Sequence, residues 1–221
     1  MNEARSMERI AGISGLLFAT LFVVGALIAG TPDGDKPAKW VDFYNDSGHR
    51  MQLIIQGYLW VIAGLALMVF LVAAYQRFGA GTGTSGLYAK VAGGAAALFG
   101  VILLVGGVMM ANVAGNVAFG GANVPKDGDL LIQLSGQGMA LVLLAGGLSA
   151  ALAFVAVSLL IIREQGPRWL AVLGFVAAIC GILGVVFLPM VAVSIWTICA
   201  AVVLLRGPSQ AAARKPQAAA A

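Results

Sequence analysis

Charge is scarce in this chain. Only 10% of its 221 residues are Asp, Glu, Lys or Arg, 61% are hydrophobic, and the mean hydropathy is +0.97. A soluble domain carries about 25% charged residues. Too few polar side chains are present to cover a surface in water, so the chain belongs in lipid. Histidine is reduced to one residue, His49, and cysteine to two, Cys180 and Cys199. A structural zinc site takes about four Cys, His or carboxylate ligands, and a haem between two histidines cannot be built within one such chain. Both cysteines fall in apolar runs, which predicts buried thiols and no disulfide framework. We therefore expect no metal and no cofactor.

Catalytic patterns are missing too. There is no G-x-S-x-G, H-E-x-x-H or Walker loop. Gly12-Ile13-Ser14-Gly15 resembles the G-x-S-G of rhomboid intramembrane proteases over four residues. Ser14 falls near one end of the first apolar run, however, and His49 falls beyond the other, whereas a serine and its base must approach within about 3 Å. Close helix packing explains these small residues better. No apolar run holds an acidic or basic residue in its core, which argues against a proton-coupled carrier. The expectation is a protein that is not an enzyme.

What is present is a series of long apolar runs. A spanning helix needs about 20 such residues. The runs are 10–30, 51–75, 90–115, 130–162 and 169–205, and the last is too long for one crossing. Proline suits the first turn of a helix and disrupts an interior, so Pro189 divides this run into 169–188 and 189–205. The first run is longer than a signal-peptide core and ends L-I-A-G, so we expect an uncleaved anchor. The fold class expected is all-α: a polytopic membrane helical bundle with six transmembrane helices.

Basic residues orient it. With the N-terminus inside, the inner segments hold Arg5, Arg9, Arg77, Lys90, Arg163, Arg168, Arg206, Arg214 and Lys215, and the outer ones hold Lys36, Lys39, Arg50 and Lys126. This asymmetry predicts both termini in the cytoplasm, hence N-in/C-in, in a plasma membrane. It also accounts for the net charge of +4 and the pI near 9.3, so no nucleic acid partner is expected. Residues 207–221, rich in Ala with Pro and basic residues, read as a disordered cytoplasmic tail after a six-span domain covering 1–206.

Two patterns stand out within the spans. Gly86, Gly93, Gly100 and Gly107 recur every seven residues, and Gly174 and Gly181 repeat that interval. Small residues mark contact faces between helices in lipid, serving internal packing or, alternatively, docking a membrane-protein partner or a second copy. Gln52/Gln56, Asn112/Asn116 and Gln133/Gln137 are amide pairs at i, i+4, each on one helical face near the outer ends of spans two, three and four, with Ser135 beside them. They read either as interhelical glue or as an outward-open polar cavity bordered by His49, suited to a small neutral solute or a lipid headgroup. Trp40, Phe43 and Tyr44, at i, i+3 and i+4, predict a short helix laying an apolar face on the outer membrane surface. Asp46 and Ser47 are placed to cap the second span.

The segments DFYNDSGHRMQLIIQGYLWVIAGLALMVFLVAAYQRF and PRWLAVLGFVAAICGILGVVFLPMVAVSIWTICAAVVLLR resemble parts of a widespread set of actinobacterial six-helix integral membrane proteins of uncharacterised function. The first matches an F-Y outer segment leading to Arg and the second helix. The second matches a closing hairpin with P-R-W-L-x-x-L-G, a late proline and a final arginine. The resemblance implies six helices in a cytoplasmic membrane and assigns no catalytic residue. The function expected is that of a non-enzymatic accessory or scaffold subunit of a membrane assembly. The alternative is a passive transporter or sensor using the amide cavity.

Overall fold

The computed structural model describes residues 2–28, 30, 32, 36–78, 84–163, 166–183 and 191–205, and every regular element among them is helical. The helices are α1 (Asn2–Ile28), α2 (Pro37–Asn45), α3 (Ser47–Phe78), α4 (Thr84–Phe119), α5 (Gly128–Ala140), a π-helical turn (Leu141–Gly146), α6 (Gly147–Arg163), α7 (Arg168–Ile182) and α8 (Val191–Leu205). Four stretches are long and apolar enough to cross a membrane: Arg9–Ile28, Ser47–Val72, Gly86–Phe119 and Gly128–Arg163. The chain is a multi-pass membrane helical bundle on this measure. The last apolar run, expected as 169–188 and 189–205, appears as two shorter helices of 15 residues each, about 22 Å apiece against a hydrocarbon core of about 30 Å. Pro189 and the tail 207–221 lie outside the described residues.

The six long elements pack as a closed ring. Extensive contacts run from α1 to α3, α3 to α4, α4 to α6, α6 to α7, α7 to α8, and α8 back to α1. One end of the ring carries Arg9, Lys90, Arg163 and Arg168 and is called the basic end. The other carries α2 and the α4–α5 connection and is called the cap end.

Side-chain size is distributed inside out. On α7 the buried residues are Leu170, Ala171, Gly174, Ala177, Ala178 and Gly181, whereas Val172, Val176 and Ile179 face outward. The same holds on α6, where Ala150, Ala151 and Ala153 are buried and Leu148, Leu152 and Val155 are exposed. Lipid tails are as apolar as leucine, so burying a large aliphatic side chain between helices gains little. Bringing backbones close gains dispersion contacts, and only small residues permit it.

The glycines show how close. A methyl group built on Gly57 would lie 2.6 Å from the Gly107 carbonyl oxygen, and one on Gly107 2.8 Å from that of Gly57. Two turns away, Gly64 and Gly100 repeat the arrangement at 2.8 and 3.3 Å. Because α3 and α4 run antiparallel, two heptad-spaced glycine pairs stay in mutual register over the whole contact. Gly181 makes the same approach to the Gly147 carbonyl across α6 and α7, at 2.8 Å. Gly174 faces Ser158 and Trp196, Gly93 faces the ring interior, and Gly86 is buried. Gly100, Gly107, Gly174 and Gly181 thus make contacts inside the ring.

The π-helical turn lies within one continuous rod, Gly128–Arg163. Gly138, Val142 and Gly146, at four-residue steps, all meet α4: Gly138 at Met110, Val142 at Gly106, and Gly146 at Phe99 and Ile102. Residues at i, i+4 and i+8 share one face of a helix. The wider turn absorbs the extra residue and keeps both halves of the rod against α4.

Candidate functional site: a cap joint and an apolar chamber

The segment around the single histidine forms a joint between two helices. Pro37 opens α2, where its fixed φ suits the first turn. α2 closes at Asp46, whose carboxylate accepts the His49 backbone N–H at 2.9 Å and so caps α3. Arg50 reaches back from α3, and its Nη1 donates to the Tyr44 carbonyl at 2.6 Å and the Asn45 carbonyl at 2.8 Å. Those carbonyls have no intrahelical partner at the C-terminus of α2, and a cation there also meets the negative end of the helix dipole. The His49 ring stacks on Phe43 with centroids 4.4 Å apart. The His49 backbone N–H holds the exposed Asp46 carboxyl below its ordinary range, with desolvation opposing it and the Gly48 N–H and the nearby His49 and Arg50 side chains adding to it.

The apolar face of α2 is not laid on lipid. Phe43 and Tyr44 are buried in a second core with Leu53, Ile54, Ala114 and Leu131 at the cap ends of α3, α4 and α5. α4 is 36 residues long, about 54 Å, and overshoots a hydrocarbon core by several turns. Its protruding end and those of its neighbours offer α2 a protein surface in place of the membrane. Tyr44, expected in an interfacial belt, is fully buried there. Its hydroxyl faces Ser135 without a well-formed hydrogen bond. Burial pushes the Tyr44 phenol up, with the Ser135 hydroxyl offsetting part of the shift.

The amides are placed unequally. Gln56 points into the ring and is 1% exposed, and its Oε1 has no partner among the described residues. Gln52, Asn112, Asn116, Gln133 and Gln137 lie on exposed faces. Asn116 donates to Asn112 at 2.9 Å, a bond within one helix. Gln137 borders an open groove beside the π-helical turn with Met109, Ala140 and Leu141. His49 is half-buried at the joint. The structure brings Asn112 and Asn116 together and leaves the other pairs unlinked.

A different cavity lies inside the ring, in its basic half. It measures about 190 Å³ and is lined from five long helices, by Phe70, Ala92, Phe154, Trp196 and Ala200 among others, with Phe18 of α1 at its inner limit. Its walls are almost wholly apolar. The two lining side chains with polar atoms are bonded: Trp196 Nε1 donates to the Leu170 carbonyl at 3.1 Å, and Thr197 Oγ1 to the Val193 carbonyl at 2.8 Å, while Ser158 Oγ and Ser194 Oγ, buried behind the lining, have no partner among the described residues. Phe154 packs edge-on to Trp196 at 4.7 Å. Toward the cap, four buried aromatic rings close the ring axis. Phe18 stacks on Phe22 (5.8 Å), Phe22 on Trp60 (5.7 Å), and Phe99 meets Phe18 and Phe22 edge-on (6.2 and 6.5 Å). Trp60 Nε1 donates to the Phe22 carbonyl at 3.3 Å, fixing the indole. Sequence reasoning did not find this chamber. Its lining comes from residues distant in sequence, and alanines and aromatics in an apolar run carry no local mark of facing a void.

The two cysteines are free and half-buried. Trp196 reaches Leu170 and Gly174. Cys199, one turn on, is therefore level with the start of α7, while Cys180 lies near its far end. A hairpin symmetric about Pro189 would have set the two at similar depth, but the observed register separates them.

No protein-family model matches this chain, and no curated protein or solved structure is similar to it.

Proposed function

We propose that this protein crosses a plasma membrane six times, with both ends in the cytoplasm, and serves without bond chemistry as an accessory component of a membrane assembly that holds a hydrophobic molecule in its chamber. The observation carrying this reading is the closed ring around an apolar cavity of about 190 Å³. An apolar cavity of about 150 Å³ stays dry and takes up benzene. A cavity of this size bordered by hydrocarbon favours an apolar occupant over water.

Six crossings are supported by the place α7 and α8 take in the ring and by the apolar run 169–205 read in the sequence. The cytoplasmic assignment rests on basic residues gathered where α1, α6 and α7 have their ends. Because Gly100, Gly107, Gly174 and Gly181 face other helices of the ring, a membrane-protein partner or second copy would meet the outward apolar face or the cap.

Native mass spectrometry from a mild detergent tests the chamber. The wild type is expected to carry a bound apolar molecule that Ala92→Leu, which fills the cavity, excludes. The same bound adduct on both proteins after incubation with lipid, or none on either, would refute the reading. Reporter fusions at the two termini test the topology, and opposite sides would overturn six crossings.

A further inference from the structure

The chamber is apolar throughout, but its opening is not. Its wall runs down to Ala89 on α4, Ile161 on α6, Gly166 and Pro167 in the connection, and Leu204 on α8. Each of the first three segments passes directly into a cation: Lys90 follows Ala89, Arg163 lies two residues beyond Ile161, and Arg168 follows Pro167. All three are exposed. The Arg163 guanidinium sits over the Tyr88 ring, 5.5 Å from its centroid, which holds it at that end of the ring. No ion pair engages Lys90, Arg163 or Arg168 among the described residues. The side chains of Glu3, Glu8 and Glu164 lie outside the described ones.

From this geometry we infer that the chamber binds a single-chain amphiphile with an anionic head, of which a long-chain carboxylate is the simplest. The inference rests on the proposed hydrophobic-ligand function and names the chemistry of that ligand. The chain enters the cavity, whose lining is almost wholly apolar and whose two polar side chains, Trp196 and Thr197, already have partners, so it suits hydrocarbon. The head stays at the mouth, where Arg163, Arg168 and Lys90 attract it. The cavity only modestly exceeds one that takes a benzene ring, so it admits a stretch of one alkyl chain and not two side by side. An uncharged or cationic head would gain nothing from three cations at the opening.

The test uses the full chain in nonionic detergent at about pH 8, where a carboxyl is ionised. The probes are a stearic acid brominated on its chain and the methyl ester of the same acid. Bromine quenches indole fluorescence on contact, and the quenching lost in Trp196→Phe reports the chamber. The acid is expected to bind at least about fivefold more tightly than the ester, and Arg163→Gln to weaken the acid by about fivefold without changing the ester, the effect of one cation at a membrane surface. Equal binding of acid and ester, unmoved by Arg163→Gln, would overturn the charge assignment while the chamber stood. Quenching by neither probe would remove the chamber reading itself. Where Trp196→Phe fails to fold, native mass spectrometry of the wild type and Arg163→Gln with the two probes makes the same comparison.

Discussion

Replacing glycine by alanine on α4 should give opposite results at positions a few turns apart. At Gly107 the new methyl would lie 2.8 Å from the Gly57 carbonyl oxygen. Backbone cannot swing aside as a flexible side chain can, so α3 and α4 must open by about 0.6–0.8 Å to restore ordinary contact. Overpacking of this kind costs about 1–3 kcal/mol, set against up to about 1 kcal/mol gained from alanine's helix propensity. Gly107→Ala is therefore expected to destabilise by about 1–2 kcal/mol. Gly57→Ala, facing a 2.6 Å contact, should cost at least as much. At Gly94 a methyl meets nothing within 4 Å, leaving only the propensity term, so Gly94→Ala should be neutral or stabilising by up to about 1 kcal/mol. Gly100→Ala should fall between, since its nearest neighbours are movable Met68 atoms at 3.1 and 3.2 Å, with the Gly64 carbonyl at 3.3 Å. One opening of the helix pair relieves both clashes of the facing pair, so Gly57→Ala with Gly107→Ala should cost less than the sum of the two singles. Reversible unfolding in mixed detergent micelles, followed by tryptophan fluorescence, measures all five variants. Equal effects at positions 94 and 107, or strict additivity of the double, would refute the reciprocal contact.

The cap offers two further checks. Arg50→Met removes the donor that closes α2, so backbone amides of residues 37–45 should exchange with solvent faster while those in the middle of α3 are unchanged; uniform protection across both would show that the guanidinium contributes nothing. For Tyr44, a folded value above the ordinary 10.0 means that the neutral phenol is favoured in the folded state. The associated stability is present below about pH 10 and is lost as pH rises through the folded value. Tyr44→Phe should change stability by no more than about 1 kcal/mol at neutral pH, because the hydroxyl lacks a well-formed bond, and should reduce the loss above pH 10; an unchanged alkaline limb would count against the burial.

Hydropathy located the long helices but shortened them. Runs read as 51–75 and 90–115 became Ser47–Phe78 and Thr84–Phe119, because hydropathy registers only the portion that suits hydrocarbon. Gly48-His49-Arg50 before the second run and Asn116 to Phe119 after the third continue these helices, the first start held by the Asp46 cap. The heptad glycines on α4 were visible in the sequence, but their partners Gly57 and Gly64 were not, since pairing depends on a register no single helix encodes. Amide spacing correctly grouped Asn112 with Asn116 on one face. Spacing cannot tell which way a face points, and Gln56 alone turned inward while Gln52, one turn before it, did not. The chamber was illegible for a related reason: a void is a property of what five helices leave unfilled.

The pinned indole of Trp60 has a bearing on traffic. With Phe22 stacked on it, Phe18 and Phe99 packed beyond, and its N–H tied to a main-chain oxygen, it backs the cap-side wall of the chamber. On the function proposed above, a guest entering beside Arg163 would meet those rings first, and the chamber would serve to keep or present it.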